Sequence, residues 1–259
     1  MPDEPDWPLA PSGVPEIVRR VRARTPARLF VGRTGAAYTT NTQLDLREAH
    51  AAAQDAVRAE LDLQACFGAE FVQRWQLLEV HTNACRKQEY LLRPDLGRHF
   101  DDASRVEIQK CCPPDTDVQI AIGDGLSVPA VTAQVPALLP LLYTGANARG
   151  WMLGRPFVIH RCRVGILNEI GELLNPRVAV LLIGERPGLA TAESLSAYMG
   201  YRPRATHSDA DRNLVSNIHA RGLSVNEAAA RILDLAGQMM KSNMSGYLLR
   251  QESSALGQK

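Results

Sequence analysis

Three short apolar runs mark the second half of the chain: Val118-Gln119-Ile120-Ala121-Ile122, Phe157-Val158-Ile159-His160 and Val178-Ala179-Val180-Leu181-Leu182-Ile183. Helix-like segments separate them, which is the sequence form of βαβ units around a parallel sheet buried on both faces. Upstream, residues 42–61 are rich in good helix formers, and Leu44, Ala49, Ala52, Ala56 and Ala59 can share one face at helical spacing. Further helix-like stretches over 69–76 and 83–92 make residues 40–100 a mainly helical region, punctuated at its end by Pro94 and Gly97. A long helix over 224–240 places Ala228, Ile232, Leu235 and Met239 along one stripe. The pattern predicts an α/β protein with a tail over 1–26, a mainly helical region over 27–114 and a mainly parallel sheet domain over 115–259.

The tail is acidic and proline-rich at its start, where a signal peptide would be basic and then apolar, and no apolar run reaches the roughly 18 to 20 residues that span a bilayer. A cytoplasmic address is the expectation. Within the tail, Glu16-Ile17-Val18-Arg19-Arg20-Val21-Arg22 can form one or two helical turns with Ile17, Val18 and Val21 together, either as a docking segment or as part of a solvated tail. The 29 Lys+Arg against 28 Asp+Glu leave a net charge of +1, so no global field draws the protein to nucleic acid or an anionic membrane. Five cysteines (66, 85, 111, 112 and 162) show no C-x-x-C spacing and read as reduced thiols, each a small buried hydrophobe.

Two strand ends carry candidate chemistry, in Gly123-Asp124-Gly125-Leu126-Ser127 and Gly184-Glu185-Arg186-Pro187-Gly188. Ligands of open α/β sheets gather beyond the carboxyl ends of strands, where glycine lets backbone approach a ligand and a carboxylate accepts hydrogen bonds. Asp124 and Glu185 are therefore candidate ligand contacts. The competing readings are a helix cap for Asp124, with Ser127 as a rival cap, and a pairing with Arg186 or another cation for Glu185. No phosphate loop is present, and the six histidines form no metal-ligand pair. Residues 208–214, Ser-Asp-Ala-Asp-Arg-Asn-Leu, read as a cap and a solvated face ahead of a helix.

Arg93-Pro94-Asp95-Leu96-Gly97-Arg98, Asp124-Gly125-Leu126-Ser127 and Leu182-Ile183-Gly184-Glu185-Arg186-Pro187-Gly188-Leu189, in that order and spacing, resemble the small (light) subunit of ethanolamine ammonia-lyase. The likeness continues through Ser194-Leu195-Ser196-Ala197-Tyr198, Asp209-Ala210-Asp211-Arg212-Asn213 and Ser216-Asn217-Ile218-His219, covering about 27–250. It implies a helical N-terminal part and a Rossmann-like C-terminal part. It also implies a hetero-oligomer with a large TIM-barrel subunit, adenosylcobalamin between the two, and conversion of ethanolamine to acetaldehyde and ammonia. The family's cobalamin contacts fall on Val164 and Glu185, and a third, a cysteine in some members, falls at or next to Leu214. The Glu16 to Arg19 stretch is similar to a family segment associated with microcompartment delivery. No histidine sits in a D-x-H-x-x-G motif, so the cofactor is expected to keep its own benzimidazole on cobalt. Two other function classes remain open: a self-sufficient α/β enzyme using Asp124 and Glu185 as paired acids, and a scaffold without cofactor contact.

Overall fold

The computed structural model describes residues 15–25 and 29–249, and the chain divides into two compact units at Arg47/Glu48. Most of the expected tail, residues 1–14, lies outside the described residues. The first unit holds α1 (Glu16–Ala23), a two-stranded hairpin of β1 (Arg33–Thr34) and β2 (Ala37–Tyr38), and the start of α2 (Thr40–Arg58). In α1, Val18 and Val21 are half-buried while Ile17 is exposed. The helix expected over 42–61 forms as α2, but its apolar stripe is not a core face: Leu44 is exposed and Ala56 is its one buried residue.

The second unit is mixed α/β, as the pattern predicts. It holds β3 (Leu78–His81), β4 (Val118–Gly123), β5 (Phe157–His160), β6 (Val178–Gly184), β7 (Leu195–Tyr201) and β8 (Asn213–Ile218) in one sheet of order β3-β5-β4-β6-β7-β8. Neighbours from β3 to β6 run parallel, whereas β6–β7 and β7–β8 are antiparallel. The helices are α3 (Leu63–Phe67), α4 (Ala69–Trp75), α5 (Lys87–Leu92), α6 (Asp102–Cys111), α7 (Val128–Ala148), α8 (Ile166–Leu174) and α9 (Val225–Ser242). The sheet takes β3 from the stretch the sequence reads as mainly helical, and residues 208–214 lead into a strand rather than a helix.

Period-two alternation explains why the central strands are apolar throughout. Ile120, Ile122, Val180 and Leu182 enter a core cluster with α7 and α9, while Ala121, Ala179, Leu181 and Ile183 enter a second cluster with α6 and α8 on the other face. The connection from β6 to β7 contains no helix, so the strand returns antiparallel. Ser224 caps α9 in a reciprocal arrangement with Glu227, and Ala228, Ile232 and Met239 are buried as its stripe predicts. Among the described residues α7 alone is long and apolar enough to cross a membrane, and nine of its residues are buried in the fold.

Candidate functional site

Three chain turns meet at the carboxyl edge of β4, β5 and β6. Gly125 adopts a left-handed φ of +56°, and a Cβ there would come within 2.4 Å of the Gly184 carbonyl, so these two turns can touch only through glycine. Leu126 N–H donates to the same Gly184 carbonyl at 3.1 Å. Ser127 caps α7 by accepting from Ala130 N–H at 3.4 Å and donates its hydroxyl to the Ala192 carbonyl, tying the β4 turn to the segment after the β6 turn.

Asp124 is not the cap of α7, a place that Ser127 takes. It is fully buried and accepts from Arg161 N–H and Cys162 N–H, both at 2.8 Å, with the Lys87 ammonium 3.7 Å away. The Arg161 backbone is left-handed at φ 56°, a strained position for a side-chain-bearing residue, and the Asp124 carboxylate fixes it. Lys87 also lies 5.1 Å from the centroid of the Tyr90 ring, and Tyr90 donates its hydroxyl to the Cys162 carbonyl at 2.9 Å. Burial, reinforced by the Asp124 charge, pushes the Tyr90 and Cys162 pKa values well up. This buried cluster shapes the loop that follows β5.

That loop presents Val164 to a cavity of about 440 Å³, and the same cavity is lined by Glu185 from the end of β6 and Leu214 from β8. Three positions far apart in sequence are thus brought together, while Asp124 stays behind the wall and does not join them. No hydrogen bond joins Asp124 to Glu185 among the described residues, and only Glu185 lines this cavity. The Glu185 carboxylate accepts from the Ser194 hydroxyl at 2.8 Å, the Ser196 hydroxyl at 2.5 Å and Asn217 N–H at 3.0 Å, bonding the β6 turn to β7 and β8. Neither Arg186 nor another cation pairs with it among the described residues. Leu214 is 39% exposed and faces Tyr198 across the β7–β8 ladder. Burial, and then the Glu185 charge, raises the Tyr198 phenol.

Sequence reasoning misses Tyr90, Arg163 and Tyr198 as walls of this cavity. Tyr198 lies in a segment that carries the resemblance, whereas nothing local marks Tyr90, which arrives on α5. The Arg163 guanidinium carbon stands 4.1 Å from the centroid of the Tyr90 ring, and its Nε is buried without a hydrogen-bond partner among the described residues. A second cavity of about 830 Å³ adjoins the first, sharing Arg163 and Val164.

No histidine lines the smaller cavity. His160 is held 2.6 Å from Glu79 and stacks on His81, and His219 pairs with Asn217. Among the described residues no cluster of His, Cys, Asp and Glu could hold a metal. All five cysteines are free, as expected, but only Cys112 and Cys162 are buried, and Cys85 is exposed.

Fold and site define an α/β protein with a cavity of about 440 Å³ at the carboxyl edge of its parallel strands. The family profile described as ethanolamine ammonia-lyase light chain (EutC) matches residues 15–250. The chain belongs to that family. It is 41% identical over 236 residues to the ethanolamine ammonia-lyase small subunit of Rhodopseudomonas palustris, covering 91% of this chain and 90% of that protein. It is 39% identical over 235 residues to the small subunit of Clostridium acetobutylicum, covering 91% and 95%. Against the small subunit of Clostridium perfringens the identity is 40% over 235 residues, covering 91% and 78%.

Proposed function

We propose that the chain is the non-autonomous small subunit of an adenosylcobalamin-dependent ethanolamine ammonia-lyase, and that its carboxyl-edge cavity receives the cofactor's benzimidazole tail against a large TIM-barrel subunit. The observation that carries this reading is the convergence of Val164, Glu185 and Leu214 on one cavity. Its residues fit the group. Tyr90, Tyr198, Val164 and Leu214 offer aromatic and apolar walls to a flat heterocycle, and the Arg163 Nε is a buried donor without a partner among the described residues. At about 440 Å³ the cavity suits one part of a corrinoid and not the whole, as expected of a subunit that shares its cofactor with a partner.

When bound, the cofactor supplies the radical chemistry. The residues of this chain hold, orient and dry its tail. Asp124 and Glu185 spend their oxygens on hydrogen bonds inside the chain, which leaves neither as a general base and supports an inert isolated subunit. Val164, Leu214 and Glu185 would hold the tail by apolar packing and hydrogen bonding, with no histidine among the residues that line the cavity.

The test is co-expression of a cognate large subunit with and without this chain, followed by the visible spectrum of retained cobalamin after gel filtration. Retention that requires both chains is the expected result. Equal retention by the large subunit alone, or acetaldehyde formation by this chain alone, would overturn it.

A further inference from the structure

The larger cavity has a composition that the tail site does not explain. Four arginines (98, 105, 163 and 212) face it together with three carboxylates, Glu169, Glu172 and Asp209. Those acids already have partners: Glu169 lies 2.6 Å from Arg105 and accepts from Phe100 N–H, Glu172 accepts from Ala205 N–H, and Asp209 pairs with Arg212. The side chain of Arg98 has no hydrogen bond or ion pair among the described residues. Arg212 has a side chain only 7% exposed, and its Nε is buried without a hydrogen-bond partner among the described residues, as is that of Arg163. Buried polar atoms are rarely left in this state.

The fold goes to some length to bring these cations together. Arg163 N–H donates to the Gly97 carbonyl at 2.8 Å, and a Cβ on Gly97 would stand 2.7 Å from the Arg161 carbonyl oxygen. A Cβ on Gly165 would stand 2.9 Å from Arg98 Cγ, so glycine there lets the Arg98 stem cross the start of α8. Arg212 is held in place by Asn168, whose side-chain oxygen accepts from it at 2.9 Å. Burial lowers the Arg212 pKa, Asp209 opposes that, and Arg98 lowers it again, so two guanidiniums repel each other across the cavity. The α8 N-terminus, which has no side-chain cap, adds its positive dipole end at Gly165.

We propose that Arg98, Arg163 and Arg212 form a subsite for one phosphate-type oxyanion, and that the phosphodiester of the cobalamin nucleotide tail is the anion it takes. The source of the anion rests on the proposed function, because a phosphodiester joined through its ribose to a base in the smaller cavity would enter the larger one past Arg163 and Val164, which line both. Planar guanidiniums match phosphate oxygens in pairs, and a bound anion relieves the mutual repulsion of Arg98 and Arg212.

The test uses Arg98→Gln and Arg98→Lys in the full chain, assembled with the large subunit. Binding is measured for adenosylcobalamin and for adenosylcobinamide, which lacks the nucleotide and its phosphodiester. Arg98→Gln is expected to weaken cobalamin about tenfold or more, and Arg98→Lys less, with cobinamide unchanged. Excess inorganic phosphate should compete with cobalamin in the unsubstituted complex and lose that effect in Arg98→Gln. Equal weakening of both corrinoids, weaker subunit association without cofactor, or no change at all would each sink the proposal. If inorganic phosphate raises the melting temperature of this chain in an Arg98-dependent way while cobalamin affinity ignores Arg98, the ligand is free phosphate and the phosphodiester assignment is wrong. Failure of the unsubstituted complex to bind either corrinoid would refute the proposed function and the phosphodiester together. The phosphate-dependent melting shift of the chain then decides whether the arginines bind an oxyanion at all.

Discussion

The turns after β4 and β6 carry the same sequence signature, an acid set against glycine at the end of an apolar strand, yet they do different things. Asp124 is sealed in, bonded to two backbone N–H groups and set beside a buried lysine, and it holds the next loop in a left-handed bend. Glu185 stands on the cavity wall, only partly buried, and bonds the serines and backbone of the neighbouring strands. A carboxylate that stabilises a loop behind a site and one that borders the site itself are separated by what other segments bring to them. For Asp124 that segment is α5 with Lys87.

The largest effect should come from Asp124→Ala. It strands the Lys87 charge and orphans two N–H groups, which costs about 3–5 kcal/mol when a buried pair is broken. Urea denaturation of the isolated chain reads this as a lower midpoint at constant slope. Adding Lys87→Met should restore part of the loss, because the unpaired charge is gone. Cys162, bonded through its N–H to Asp124, should become open to thiol reagents in Asp124→Ala while it resists them in the unsubstituted protein. The Cys162 thiol is raised from 9.0 mainly by burial, so the folded chain keeps a proton that the unfolded chain releases. Its contribution to stability is present below pH 9 and is lost as pH rises from there toward the folded value. A melting temperature that climbed above pH 9 would contradict the burial of this loop.

Glu185→Ala should come second. Three hydrogen bonds at a partly exposed position suggest a loss of about 1–3 kcal/mol, and Glu185→Gln, which keeps one acceptor, should lose less. A polar acceptor at a strand end suggests a contribution to a ligand and little to the core, but the links to Ser194, Ser196 and Asn217 give Glu185 a structural share as well. Denaturation midpoints measured beside Asp124→Ala decide the contrast, which breaks if Glu185→Ala costs as much.

What is legible in the chain follows from burial. β4, β5 and β6 are apolar on both faces and stand out as runs. β3 alternates Leu78 and Val80 with Glu79 and His81, and β8 buries Asn213, Val215 and Ile218 among exposed neighbours, so neither reads as a strand by itself. The helix expected after residue 214 does not form: Ser208 and Asp211 do make a reciprocal cap, but on a single 3-10 turn that ends in β8. Val164, Glu185 and Leu214 are reached together only through the family resemblance, and no spacing in the chain links them. Arg98, Arg163 and Arg212 line one cavity only through tertiary packing, and isolated arginines carry no local signal of that.

Ser127→Ala tests how tightly the two turns depend on each other. It removes the α7 cap and the bond to the Ala192 carbonyl, with an expected loss of about 1 kcal/mol, typical of a helix N-cap. If the turns act as one unit, combining it with Glu185→Ala should depart from additivity in denaturation. Strict additivity would show that each turn is held separately.

The smallest stability change belongs to Leu214, and it gives the sharpest view of the wall that Glu185 borders. The side chain is 39% exposed and comes from β8, so trimming it to alanine leaves no sealed void, and the expected loss is below about 0.5 kcal/mol. Its apolar surface nevertheless lines the cavity beside Tyr198. If an aromatic tail packs there, Leu214→Ala should weaken cobalamin retention in the assembled complex several-fold, at about 25 cal/mol for each Å² of apolar surface no longer covered. Leu214→Cys, which installs the residue some family members carry, should retain most of the affinity, since a thiol is a small apolar group that still fills part of the space. Spectra of retained cofactor across the series Leu, Cys, Ala and Asp separate packing from accident. Affinity should fall in that order, with aspartate lowest because it sets a second carboxylate facing Glu185 in the same cavity. An aspartate variant that binds as well as the unsubstituted chain would mean that this wall faces solvent, and the contrast between the sealed β4 turn and the cavity-facing β6 turn would lose its functional half.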